Sequence, residues 1–136
     1  MAQTPPIRYL TADDVWAMND AILRREGDQS LVRDRGALES AVMRPQTAAY
    51  YGQADLVAQT AALITGIALA HPFLDGNKRT AAIAGATFLR LNGYRIASAD
   101  ETFGRRIVAV VNRIGDLGTA TQQLTGWLRS VVTPLL

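Results

Sequence analysis

Along most of this chain the apolar residues recur with the period of a helix, not of a strand. Thr11-Ala-Asp-Asp14 reads as a hydroxyl cap followed by acids in a first turn. Val15, Met18 and Ile22 then recur at helical spacing, and Gly27 ends the segment. Ahead of it, residues 1–10 read as an extended leader, because Pro5-Pro6 bars a helix there. After it comes a loop from Asp28 to Arg35. A short helix is predicted over Gly36–Met43, with Asp34 as its cap and Pro45 as its stop. Residues 46–53, QTAAYYGQ, read as irregular or weakly extended.

The strongest pattern follows. Asp55–Ala70 predicts a helix whose buried stripe is Leu56, Leu63, Ile64, Ile67 and Ala68, with small residues suited to central packing. Pro72 disfavours helical geometry at His71, so this helix stops near Ala70. A second long helix starts near Asp75 or Gly76 and runs to Leu91, where Asn92-Gly93 stops it. Ser98-Ala-Asp-Glu101 matches a capping box, and Ile107, Val110, Val111 and Ile114 form the stripe behind it. A last helix over Ala120–Val132 carries Leu124, Trp127, Leu128 and Val131. The sum is an all-α fold of about six helices with short links. Asn92-Gly93-Tyr-Arg-Ile also suits the start of a hairpin, but no partner strand of matching pattern is evident.

Length and charge narrow the picture. The 136 residues suit a single domain spanning the whole chain. A net charge of +2 is too weak to argue for nucleic acid, and the arginine pairs at 24–25, 33/35 and 105–106 are scattered and partly neutralised by acids. Cysteine is absent, which excludes disulfides and thiolate metal sites and is compatible with a reducing cytoplasm. No signal-peptide pattern opens the chain. The longest apolar-rich stretch, Ala61–Ala70, is too short to span a bilayer.

Chemistry concentrates in HPFLDGNKRTA, residues 71–81, which holds the only histidine. The stretch puts a tight turn between two buried helices. The first amides of a helix lack internal partners and sit at the positive end of the dipole. Gly76 allows a ligand close to the backbone, and such an end binds phosphate. Lys78 and Arg79 add positive charge where the dipole disfavours it, which an anion between them would explain. Asp75 offers a carboxylate to magnesium, and His71 is placed to take a proton from an attacking hydroxyl. Taken singly, each residue has a plainer role: Asp75 as an N-cap or the i, i+4 partner of Arg79, His71 as a helix-end residue, Asn77 and Lys78 as surface. Together they describe phosphoryl or nucleotidyl transfer.

His71-Pro72-Phe73-Leu74-Asp75-Gly76-Asn77-Lys78-Arg79 resembles the signature of the Fic/Doc (Fido) family, HxFx(D/E)GNxR, at every fixed position. The flanks Asp34–Val42, Arg44-Pro45-Gln46 and Leu89–Tyr94 resemble its small "death on curing" branch, so the likeness covers nearly the whole chain. The resemblance implies an α-helical Fido fold with ATP and magnesium as cofactors. It implies His71 as general base, Asp75 on magnesium, Gly76 and Asn77 on the phosphates, and Arg79 on the distal phosphates. Phe73 is implied as the buried anchor of the loop. Arg44 to Gly52 resembles the flap that aligns a target by strand addition, which would give Tyr50 and Tyr51 a part, although aromatic packing is their simpler reading.

Nucleotidyl-transferring (AMPylating) members carry a glycine where this chain has Lys78. The toxin branch shares the lysine and implies a kinase-type reaction: γ-phosphate passes to a threonine of elongation factor Tu and translation stops. Pro72 and Gly76 instead resemble the AMP-transferring members. Lys78 lies in the clamp itself and tips the reading to phosphate transfer. Many family members also carry an inhibitory helix, (S/T)xxxE(G/N). Ile22–Gly27 has its Glu-Gly but lacks the hydroxyl, and reads as a helix end. Restraint is therefore expected from outside, by a Phd-type antitoxin whose C-terminal helix packs near the motif. The competing class is a non-catalytic helical binding module, which the intact motif disfavours.

Overall fold

The computed structural model describes residues 5–113 and 116–136. Among them six helices form: α1 Ala12–Arg25, α2 Arg35–Gly52, α3 Leu56–Ala70, α4 Asn77–Leu91, α5 Asp100–Arg113 and α6 Leu117–Val131. The all-α architecture of a Fido fold is thus the one observed. No helix among the described residues is long and apolar enough to cross a membrane.

Helix α3 is the axis of the molecule. Every residue from Gln59 to Ala68 is buried, because α2, α4 and α6 pack against it and α5 touches it as well. Small side chains set these distances. A Cβ on Gly85 of α4 would fall 2.5 Å from Ile64, so the two central helices approach as closely as they do only with glycine there. The extended leader is not idle: Tyr9 stacks on Phe88 and donates its hydroxyl to Gln59 at 2.7 Å.

Thr11 caps α1 in a full capping box with Asp14, and Asp34 caps α2. Helix α1 closes on Gly27 at φ 73, where the Asp28 amide reaches back to the Leu23 carbonyl at 2.9 Å. Of the predicted stripe only Val15 is fully buried; Met18 and Ile22 are half-buried, and Asn19 and Leu23 complete the buried face of α1.

Four expectations are corrected. Helix α2 does not stop at Pro45 but runs through it to Gly52, so residues 46–52 are helical and no extended flap exists over Arg44–Gly52. The proline ring removes one backbone bond, yet it is buried against the core, and Arg44 beside it donates to the Ala62 carbonyl at 2.7 Å and to Thr65 and Thr121. Tertiary contact overrides the local signal there. Tyr50 and Tyr51 do not pack inward; each is 81% exposed and they touch only edge to face among aromatics. Ser98 does not cap α5, which begins at Asp100; its hydroxyl turns to the Ala99 carbonyl. Finally, Tyr94–Ile96 is a strand, β1, paired antiparallel with β2, Val132–Pro134, in the register Arg95 to Thr133. Its partner was invisible to hairpin logic because it lies at the far end of the chain. Ile107, Val110 and Val111 are buried as expected; Ile114 lies outside the described residues.

Candidate active site at the turn between α3 and α4

The backbone of the turn is unusual at both ends. Helix α3 ends at His71, whose φ of 50° and ψ of 55° lie in the left-handed region. Helix α4 begins at Gly76, also left-handed at φ 77°. Between them Pro72 and Phe73 are buried, while His71, Leu74 and Asp75 face solvent. Phe73, 1% exposed, is the plug that ties the turn to the core.

Four braces hold this shape. Asn77 turns its side chain back onto Phe73, accepting its amide at 3.0 Å and donating to its carbonyl at 2.9 Å. Asn19, fully buried on α1, donates to the Asp75 carbonyl at 2.9 Å and to Thr80 at 3.0 Å, and accepts the Ser30 hydroxyl at 2.6 Å. The segment before α2 runs antiparallel to the turn, with a bridge between Val32 and Phe73. From that segment Arg33 donates its side chain to the Ala70 and His71 carbonyls. Neither Asn19 nor Arg33 was singled out from the sequence. Asn19 had a signal, a polar residue midway between Val15 and Leu23 on the buried face. Arg33 had none.

The start of α4 differs from the other capped helices. Thr11, Asp34, Asp55 and Asp116 each cap a helix with a side-chain oxygen. Gly76 makes no such bond, so the first-turn amides of Asn77, Lys78 and Arg79 lack a side-chain acceptor. The Asp75 carboxylate does not cap them; it accepts the Gly76 amide at 2.7 Å and lies 3.8 Å from Arg79. The result is a shallow cavity of about 260 Å³ lined by His71, Leu74, Asp75, Gly76, Asn77, Lys78 and Arg79. All the predicted site residues therefore meet at one surface. A Cβ at Gly76 would lie 3.1 Å from the Asn19 amide nitrogen, so glycine answers to the buried brace as well as to the backbone angle.

The cations are not free. Arg79 pairs with Glu26 as well as Asp75. Glu26 does end α1, as expected, but its carboxylate also reaches Arg79. An anion entering the turn must compete with that pair. Lys78 donates to Asn112 of α5 at 3.1 Å, so its ammonium bridges toward a second, larger groove of about 790 Å³ between α4 and α5. That groove shares Lys78 and Arg79 with the turn and is floored by Ala82, Ile83, Ala86, Phe103 and Val108. Among the described residues no three His, Asp or Glu side chains cluster as a metal cage.

A family model described as the Fic/DOC family matches residues 9–89. That range contains α1, the Arg33 segment, the turn and nearly all of α4. The chain is also 36% identical over 130 residues to Toxin Doc of Mycolicibacterium smegmatis, covering 92% of this chain and 97% of that protein. It is 29% identical over 109 residues to Protein kinase doc of Escherichia phage P1, covering 79% of this chain and 86% of that one. With its motif, the braces of the turn and helices α1 to α3 inside the matched region, this chain belongs to the Fic/DOC family.

Proposed function

We propose that this chain is a Doc-type toxin that transfers phosphate from ATP to a hydroxyl of a protein target. The observation that carries the reading is the uncapped first turn of α4, which opens beside the exposed imidazole of His71 with Lys78 and Arg79 on its rim. Two relatives named as a toxin and as a protein kinase support the same direction.

In this reading His71 takes the proton of the target hydroxyl as its oxygen attacks the γ-phosphorus. The bond from that phosphorus to the bridging oxygen breaks and ADP leaves. The amides of Asn77 and Lys78 and the Arg79 guanidinium stabilise charge on the phosphate oxygens, once Arg79 leaves Glu26, and the Gly76 amide joins them once the Asp75 carboxylate releases it. A magnesium ion held by Asp75 and phosphate oxygens would neutralise that charge further, a coordination that needs only one protein carboxylate. Asn77 serves first through its backbone, because its side chain is engaged with Phe73.

The target we propose is elongation factor Tu, with arrest of translation as the outcome, and the partner is a Phd-type antitoxin. The α4–α5 groove supports that partner: its apolar floor, with Lys78 and Arg79 at one end, suits an amphipathic helix carrying an acid. AMP transfer is the second reading. Pro72 and Gly76 resemble the AMP-transferring members, and the Lys78 ammonium donates to Asn112 instead of into the turn, which weakens its part in a phosphate clamp.

The test is intact-mass analysis of elongation factor Tu after incubation with the protein, ATP and magnesium, with His71→Ala alongside. A gain of one phosphate, lost in the variant, is expected. A gain of one AMP would establish the second reading. No change on elongation factor Tu, followed by no ATP-dependent modification of any protein in a lysate, would overturn the enzymatic reading.

A further inference from the structure

We propose that Arg33 is a positioning residue for His71: its guanidinium fork grips the last two carbonyls of the α3 end and thereby sets where the imidazole stands. The proposal rests on the reading of His71 as the proton acceptor.

A left-handed residue just past a helix is ordinarily glycine or asparagine. Histidine there is strained, as Gln53 past α2 is at φ 51, but at His71 the surroundings also fix the strained peptide. The structure shows what does so. Arg33 Nε donates to the His71 carbonyl at 2.7 Å and Nη2 to the Ala70 carbonyl at 2.8 Å. These carbonyls lack helical partners and form the negative end of the α3 dipole, so a planar cation that bridges both suits them better than a point charge would. The backbone of the same segment holds the next residue: the amides of Arg33 and Asp34 both donate to the Pro72 carbonyl, at 2.8 and 3.1 Å, and Leu74 donates to Leu31 at 3.0 Å.

The division of labour follows. The backbone bonds fix Pro72 and Leu74 whatever side chain stands at 33. The side-chain fork is what reaches the Ala70 and His71 carbonyls themselves, and with them it helps set the direction of the Cα–Cβ bond that aims the ring. Arg33 is exposed, so the fold does not depend on its stem. Asn77, Arg79 and the first-turn amides are held by other contacts, so nucleotide binding does not depend on it either. A shift of the base by about 1 Å costs on the order of 100-fold in rate.

The experiment compares wild type with Arg33→Ala and Arg33→Lys in the full chain. Because the chain has one histidine, labelling histidine gives a single imidazole signal. In Arg33→Ala that signal is expected to move or broaden and the amides of residues 71–74 to exchange faster. Transfer to elongation factor Tu should fall about 10- to 100-fold in kcat with the KM for ATP unchanged, and added guanidinium should restore part of it. Arg33→Lys, which keeps the charge but loses the fork, should stay impaired; wild-type kcat in that variant would overturn the role of the fork. An unmoved histidine signal with wild-type transfer in Arg33→Ala would sink the proposal as a whole. If the wild type modifies no protein, the functional reading fails, and the histidine signal with the amide exchange still decides whether Arg33 positions the ring.

Discussion

At its N-terminus α3 is closed by Asp55, whose carboxylate accepts the Ala58 amide at 2.9 Å and two bonds from Arg129 of α6. At its C-terminus the same helix stops at a strained histidine, and the helix that follows has no side-chain cap. The first junction spends every polar group on the fold. The second leaves amides, a carboxylate and an imidazole facing solvent and recruits side chains from α1 and the Arg33 segment to hold them there. The contrast lies in the caps and not in backbone strain, since Gln53 ahead of Asp55 is left-handed too at φ 51: the first junction closes its helix amides with a carboxylate, and the second leaves them open and leans on braces from outside.

Breaking the plug of the second junction should have the largest effect. Phe73→Ala removes a ring that is 1% exposed and should cost about 3–5 kcal/mol, read by urea unfolding. The brace comes next. Asn19→Leu leaves the Ser30 and Thr80 hydroxyls without their buried partner, and a loss of about 1–3 kcal/mol is expected in the same assay. Faster amide exchange near Asp75 should accompany it, since the Asp75 carbonyl loses its donor. Gly76→Ala is smaller again: the left-handed backbone costs about 1–2 kcal/mol, and the new methyl presses on the Asn19 amide. A Gly76→Ala melt equal to wild type would mean that the turn relaxes freely, contrary to its bracing.

Much of this was legible beforehand. The stripes of α3, α5 and α6, the extent of α4 and the 71–79 motif stand out because burial and anion chemistry each leave a periodic or fixed-spacing trace. What stayed hidden is whatever depends on distant partners. Pro45 reads as a stop until its burial is known. Strand β1 reads as orphaned until Val132–Pro134 returns beside it. Glu26 reads as a helix end, and is one, but only the fold brings Arg79 to it. Arg33 is an unremarkable loop cation in sequence, because its partners are backbone carbonyls that no side-chain pattern announces.

The smallest effect sharpens the comparison from the other side. Hydrogen bonds from the Arg129 guanidinium hold the Asp55 carboxyl below the usual carboxylate range, against a raising contribution from partial burial, with the Ala58 amide adding to the depression. A carboxylate whose folded pKa is depressed contributes stability that is present above its unfolded pKa and lost as pH falls through the folded one. Both partners are about half exposed, so the ion pair itself adds little beyond the cap. Asp55→Ala should therefore cost about 1 kcal/mol at neutral pH, mostly the lost cap, and that difference from wild type should shrink as pH falls below the ordinary carboxylate range. Transfer activity should not change, because this end of α3 lies a whole helix away from His71. Urea melts of the two proteins at neutral pH and below that range, beside a single activity measurement, check it. A pH-independent difference would mean that Asp55 acts by packing, and a loss of activity would mean that the two ends of α3 are not separate devices.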